Sequence, residues 1–233
     1  MTDERLVRTA ALLGEDAIPR LAGAHVLLLG LGGVGGHAFD ALLRSGVGHL
    51  TVADFDTVSL SNMNRQLLAT KETVGMKKTE AASLHAARIS DSVTLTVVEE
   101  RLTPEGITAL LDSARFDIVL DAIDDVPVKV ALAVAAKARA LPLVACLGMG
   151  NRLDPTAITV TDIAKTEGCP LARSLRAKLR KLGVDHLPVV FSREPARTSC
   201  DPAVRVASYA CVPAAAGLAL AAEAIGRITG LRA

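Results

Sequence analysis

Aromatic side chains are scarce in this 233-residue chain, which has four Phe, one Tyr and no Trp. Recognition by stacking many bases on aromatic rings is therefore a poor fit. Charge of one sign is also missing: 26 Lys and Arg against 25 Asp and Glu leave a formal net charge of +1. Any polyanionic partner has to be held by a local basic patch. The four cysteines, Cys146, Cys169, Cys200 and Cys211, form no Cys-x-x-Cys pair and no cluster with histidine, which argues against structural zinc and a disulfide framework. Half of the residues are hydrophobic, yet no uninterrupted apolar run reaches the roughly 18 to 20 residues of a membrane span. The first residues, "MTDERLVRTAALLGEDAIPRLAGA", mix acids and bases and carry no targeting pattern. The expectation is a soluble, cytoplasmic protein.

What is present is an alternation of strand-like and helix-like stretches, the pattern of a parallel sheet with helices on its faces. Strands are predicted at 25–30, 49–54, 93–98, 116–122 and 141–147, and helices at about 34–45, 71–89, 104–113 and 126–139. Thr103 and Pro104 mark a helix start as cap and first residue. A further run at 157–163 reads as an added strand, antiparallel in orientation, before a basic helix at about 170–182. Residues 183–205, rich in Pro, Arg and Asp, read as an exposed crossover loop, and 212–228 as a helix of small residues able to pack closely on a neighbour. The fold class is thus α/β, Rossmann-like and mostly parallel, with an antiparallel C-terminal extension. Residues 1–165 form the nucleotide-binding part and 166–233 the C-terminal helix, loop and packing helix of the same compact unit.

Gly30, Gly32 and Gly35 have the spacing G-x-G-x-x-G between a strand and a helix. Glycines there permit a tight turn, admit a phosphate to backbone N–H groups and let the helix pack on the strand. Gly33 keeps the turn bare, and Asp54, with Asp56 two residues on, follows the next strand where an acid can accept from ribose hydroxyls. Alone, this spacing suggests a dinucleotide enzyme. The segment "DFDTVSLSNMNRQ" then adds Asn62 and Arg65, and "VGMKKTEAA" adds Lys78. Cations at those places suit a triphosphate, hence ATP. The strand that ends in "DAIDD" offers Asp121, Asp124 and Asp125 at the carboxyl edge of the sheet. A carboxylate among phosphate-binding cations is most simply a Mg²⁺ ligand. Each residue also has a purely structural alternative: Asn62 as a cap, Lys78 as a solvated helix residue, Asp124 as the N-cap of the next helix.

In "GLGGVGG", "DFDTVSLSNMNRQ", "VGMKKTEAA" and "DAIDD" the chain resembles the ThiF/MoeB superfamily of adenylating enzymes related to ubiquitin-activating enzymes. The resemblance implies Asp54 on the ATP ribose, Asn62 and Arg65 on the phosphates, Lys78 at the reacting centre and Asp124 on Mg²⁺. It also implies a homodimer in which an N-terminal arginine, Arg8 with Arg5 as fallback, enters the partner's site. Arg65, Lys78, Asp124 and Arg8 are thereby the catalytic candidates. Further along, "NRLDPTAITVTDIAKTEGCPLARSLRAKLRKLG", "VVFSREP" and "VPAAAGLALAAEAI" resemble the branch that dehydrates threonylcarbamoyladenosine in tRNA.

In that branch the implied reaction is adenylation of the threonyl carboxylate, followed by attack of the neighbouring carbamoyl group to close a ring. No enzyme nucleophile is needed, because the attacking group is already held close. A basic segment supplies candidates for RNA contact: Arg173, Arg176, Lys178, Arg180 and Lys181, with Arg193, Arg197 and Arg205 following and Phe191 and Tyr209 available for stacking. The alternative is that Leu175, Leu179 and Leu182 face inward and the basic residues serve solubility. A second function remains open, adenylation of the Gly-Gly end of a sulfur-carrier protein, with Cys169 as a conceivable nucleophile. A third is a non-catalytic nucleotide-binding regulator, whose signature would be loss of Arg65, Lys78 or Asp124; all three are present.

Overall fold

The computed structural model describes residues 3–232. Two short helices, α1 (Val7–Leu13) and α2 (Ala17–Gly23), precede a seven-stranded sheet ordered β3-β2-β1-β4-β5-β7-β6. Its strands are β1 (His25–Leu29), β2 (His49–Ala53), β3 (Thr94–Val98), β4 (Ile118–Asp121), β5 (Leu143–Cys146), β6 (Ile158–Asp162) and β7 (Pro188–Ser192). All neighbours pair in parallel except β6 and β7, which are antiparallel.

The central strands alternate between two apolar layers, as a period-2 pleat requires. Val26 and Leu28 of β1 join the layer built with α3 (Gly35–Arg44), α4 (Lys78–Ala87) and α8 (Cys211–Thr229). Leu27 and Leu29 join the layer built with α5 (Gly106–Asp112), α6 (Val126–Ala138) and α7 (Pro170–Lys181). Both faces are thus covered, the usual condition of a parallel sheet. By length and composition α8 could cross a membrane, yet half of it is buried, where it packs on α3 and the sheet.

The C-terminal part differs from the sequence expectation in one respect. Residues 188–192, placed in an exposed loop, are a strand inside the sheet between β5 and β6, with Val189 and Val190 fully buried. Pro188 opens it, the strand position at which a missing N–H is tolerated. Of the predicted loop, residues 183–187 and 193–205 remain without helix or strand. Smaller shifts occur at helix ends. α5 starts at Gly106, two residues after Pro104, so Glu105 and not Thr103 is at its N-cap position, although Thr103 Oγ1 accepts from Gly106 N–H at 3.2 Å. Leu182 lies past the end of α7 and is exposed, while Leu175 and Leu179 are buried as expected.

Candidate active site

A cleft of about 450 Å³ lies at the carboxyl ends of the central strands, where open α/β sheets bind ligands. Gly30, Gly32, Gly33, Asp54, Asp56, Asn62, Arg65, Lys78 and Asp124 all line it. The floor is the turn from β1 into α3. Gly30 has φ +90°, and a Cβ there would meet Ala122 O at 2.9 Å. Gly35 does not line the cleft: a Cβ on it would lie 1.8 Å from Gly30 O, so its role is the close approach of helix to turn. Gly32, Gly33 and Val34 line the cleft just before the N-terminus of α3, the end of a helix that favours an anion.

Asp54 is committed to this floor. One of its oxygens accepts from Leu31 N–H at 2.7 Å and the other from Asp56 N–H at 2.9 Å. Asp56 stands in the cleft with its side chain half-exposed and holds Lys78 Nζ at 2.7 Å, while Asp54 lies 3.5 Å from the same ammonium. Lys78 is buried, not a solvated surface residue, and it opens α4. A cation at a helix N-terminus opposes the macrodipole, so the two aspartates offset an arrangement that helix stability alone disfavours.

Asn62 does act as a cap, its Oδ1 accepting from Ser59 N–H at 3.1 Å, while also lining the cleft. Arg65 donates through Nη1 to Asn64 Oδ1 at 2.7 Å and to Ser61 O at 3.1 Å, contacts with uncharged groups that leave its positive charge uncompensated. The three aspartates of "DAIDD" part ways. Asp121 is fully buried and paired with Lys129 at 2.9 Å, and burial pushes its carboxyl upward against the opposing pull of that ammonium. Asp125, not Asp124, is the N-cap of α6, accepting from Val128 N–H at 3.1 Å. Asp124 is exposed in the cleft and makes no hydrogen bond or ion pair to the described residues.

Outside the cleft, Arg8 is exposed on α1. Arg5, its fallback, is spent on Asp3, Ile89 O and Ser90. Of the basic segment, Arg173, Lys178, Arg180 and Lys181 are exposed on α7. Arg176 leaves the patch: its Nη1 donates to Thr166 O at 2.7 Å, Thr166 Oγ1 at 2.8 Å and Ile163 O at 3.3 Å, bracing the loop before the helix. Phe191 is core and unavailable for stacking, and the Tyr209 hydroxyl donates to Leu153 O. Cys169 is buried and caps α7, its Sγ accepting from Ala172 N–H at 3.5 Å, which removes it as a nucleophile.

The ThiF family model matches residues 4–233. The chain belongs to the ThiF family. Within it, the tRNA threonylcarbamoyladenosine dehydratase of Escherichia coli K12 is 40% identical over 202 residues, 82% of this chain and 74% of that protein. The molybdopterin-synthase adenylyltransferase of the same organism is 42% identical over a shorter stretch of 156 residues, 67% of this chain and 59% of that one. Among solved structures, the E. coli dehydratase in complex with ATP superposes with a TM-score of 0.90 at 35% identity, covering 98% of this chain and 95% of that one. This ThiF-family chain therefore shares with the dehydratases its C-terminal part as well as its glycine-turn half.

Proposed function

We propose that this protein catalyses the ATP-dependent dehydration of N6-threonylcarbamoyladenosine in tRNA, in the cytoplasm, by adenylating the threonyl carboxylate. The observation that carries this is a single cleft in which Lys78 and Arg65 face an uncommitted Asp124 above a glycine turn, in a chain similar throughout to an ATP-bound dehydratase. The carboxylate oxygen forms a bond to the α-phosphorus while the bond to the β-phosphate bridge breaks and pyrophosphate departs. The carbamoyl group then bonds to the activated carboxyl carbon and AMP leaves with the oxygen lost from the nucleoside.

Two anions meet in the first step, so positive charge fixed near the reacting phosphate lowers the barrier more than it stabilises the separated reactants. Lys78 takes this part, exchanging Asp56 for the phosphate, with Arg65 and Asn62 on the outer phosphates and Asp54 and Asp56 toward the ribose. Asp124 fits a hard divalent cation: its oxygens are free in the cleft and beside the phosphate-binding cations. Bound there, Mg²⁺ would withdraw charge from the triphosphate. Arg8 completes the site of a second copy in a homodimer. Val7 and Leu12 beside it on α1 are exposed apolar residues that such a copy would cover. The exposed cations of α7 hold the RNA backbone.

The test supplies the purified protein with ATP, Mg²⁺ and tRNA bearing the modified adenosine. The expected result is AMP formed in step with loss of one water from the nucleoside, read by mass spectrometry. AMP or pyrophosphate release stimulated by a Gly-Gly-ended carrier protein and not by tRNA would overturn it.

A further inference from the structure

Segment 205–208, between β7 and α8, belongs to no helix or strand, yet Val206 and Ser208 form part of the wall of the ATP cleft. Its position is imposed from outside. Asn151, in the turn after β5, has φ +60°, a left-handed conformation unfavourable for a residue with a side chain. That conformation turns every polar group of the residue toward one loop. Its N–H donates to Ala207 O at 2.7 Å and its Oδ1 accepts from Ala207 N–H at 2.7 Å. Its Nδ2 donates to Arg205 O at 3.2 Å, and its carbonyl accepts from Arg197 N–H at 2.8 Å.

The turn itself is braced from below by the buried Arg152. Its guanidinium donates to Gly148 O at 2.7 Å, Gly150 O at 3.0 Å and Glu194 O at 3.0 Å. On the opposite side of the segment, Asn64 Nδ2 donates to Ser208 O at 3.0 Å, and the Oδ1 of the same side chain accepts from Arg65 at 2.7 Å. One irregular segment is thus tied at one end to the turn after β5 and at the other to a phosphate-binding arginine.

Resting on the adenylation assignment above, we propose that Asn151 and Asn64 are positioning residues for the carboxylate-bearing substrate. They hold segment 205–208 as a preformed wall and fix its place relative to Arg65. Neither touches the reacting atoms. Ordering the wall before substrate arrives removes that entropic cost from the binding step, so loss of the Asn151 bonds falls on the RNA substrate and spares ATP, whose glycine turn, Lys78 and Arg65 lie on other elements.

The test uses Asn151→Gly, which keeps the left-handed backbone accessible and deletes only the side-chain bonds, and Asn64→Ala. Three quantities are measured: ATP affinity, KM and kcat for modified tRNA, and the rate of tryptic cleavage after Arg205. Losing hydrogen bonds of this kind corresponds to about a tenfold change. For Asn151→Gly the expected outcome is ATP affinity within about twofold of wild type, a KM for tRNA raised about tenfold and Arg205 cleaved faster by a similar factor; Asn64→Ala, which also releases Arg65, should speed the cleavage and weaken ATP as well as tRNA. Asn151→Asp, which keeps the acceptor for Ala207 N–H, should recover part of both effects. Unchanged cleavage at Arg205 in either variant, or equal losses toward ATP and tRNA in Asn151→Gly, would overturn the proposal. If the wild-type protein converts no modified tRNA, the adenylation assignment fails by itself, and cleavage with ATP affinity still decides whether the asparagines set the wall.

Discussion

Two buried lysines, each paired with an aspartate, lie under the same sheet edge and do opposite things. Lys129 and Asp121 are both about 1% exposed and 2.9 Å apart, and Lys129 spends a further bond on Cys146 O at 2.8 Å. Lys78 is as well paired, 2.7 Å from Asp56, but the Asp56 side chain is 49% exposed and opens on the cleft. A closed pair in low dielectric is a fixture of the core, since separating it strands a charge where water cannot reach. A pair with one partner in solvent can exchange that partner for a phosphate. The difference lies in where the partner sits rather than in the chemistry of the pair.

The largest effect expected from breaking this comparison is on catalysis. Lys78→Ala and Asp124→Ala should each lower AMP formation about 10³-fold, the scale of removing one group that stabilises transition-state charge, and Asp124→Ala, at an exposed side chain, should do so with little change in thermal midpoint. Arg8→Ala should fall comparably. Mixing Arg8→Ala with Lys78→Ala subunits should restore about a quarter of wild-type activity if the arginine acts across a two-fold dimer, because one intact site forms in each mixed pair. No recovery on mixing would place Arg8 outside the partner's cleft.

Lys129→Ala should do the reverse, costing about 3 to 5 kcal/mol of stability by stranding Asp121 while leaving turnover per folded molecule near normal. The loss has a defined pH dependence. Burial already raises the Asp121 carboxyl, and without Lys129 nothing opposes that burial from the ammonium side. The folded variant then binds a proton that the unfolded chain releases near pH 4, the usual range for Asp. Stability therefore falls as pH rises from that range toward neutrality. Denaturant unfolding at pH 4.5 and 7.5 checks this; a variant that lost less stability at the higher pH would contradict it.

The same distinction between committed and available charge applies on α7. Arg173→Glu with Lys181→Glu should weaken tRNA binding and flatten its salt dependence by about one unit of slope per phosphate contact removed. Arg176→Ala should leave that slope unchanged, because its guanidinium is already spent on Thr166 and Ile163. Filter binding over a range of salt concentrations separates the two.

That distinction was also the boundary of what the sequence could reveal. The glycine spacing, Lys78 and the "DAIDD" edge were legible because residue type and order along a strand–helix pattern set which end of the sheet they reach. The order could not say which aspartate of three was free, since that depends on Asp125 taking the cap and Asp121 finding Lys129 one layer away. Nor did the run of basic residues separate Arg176 from its neighbours, because the carbonyls it braces come from the loop before the helix. β7 escaped because its strand formers, Val189, Val190 and Phe191, are few and sit between a proline and a stretch of Arg, Pro and Asp that reads as loop; their place between β5 and β6 makes them strand. Asn64 and Asn151 stand inside stretches that carry the resemblance, but nothing in the order assigns them a contact, since their partners lie 144 and 56 residues away.

The smallest effect should come from removing a whole pair instead of half of one. Asp121→Leu combined with Lys129→Met replaces the core ion pair by apolar groups of similar bulk, eliminating both the attraction and the cost of keeping two charges from water. Such replacements are often neutral or stabilising, so the double variant should unfold within about 1 kcal/mol of wild type, with the small residue set by the bonds lost at Cys146 O and Ile123 N–H. In the cleft the corresponding operation cannot succeed. Asp56→Asn with Lys78→Met also removes both charges and should also fold, but it takes away the cation that a phosphate would meet, leaving AMP formation as low as in Lys78→Ala. A core double variant that lost activity, or a cleft double variant that kept it, would show that exposure of the partner is not what divides the two lysines.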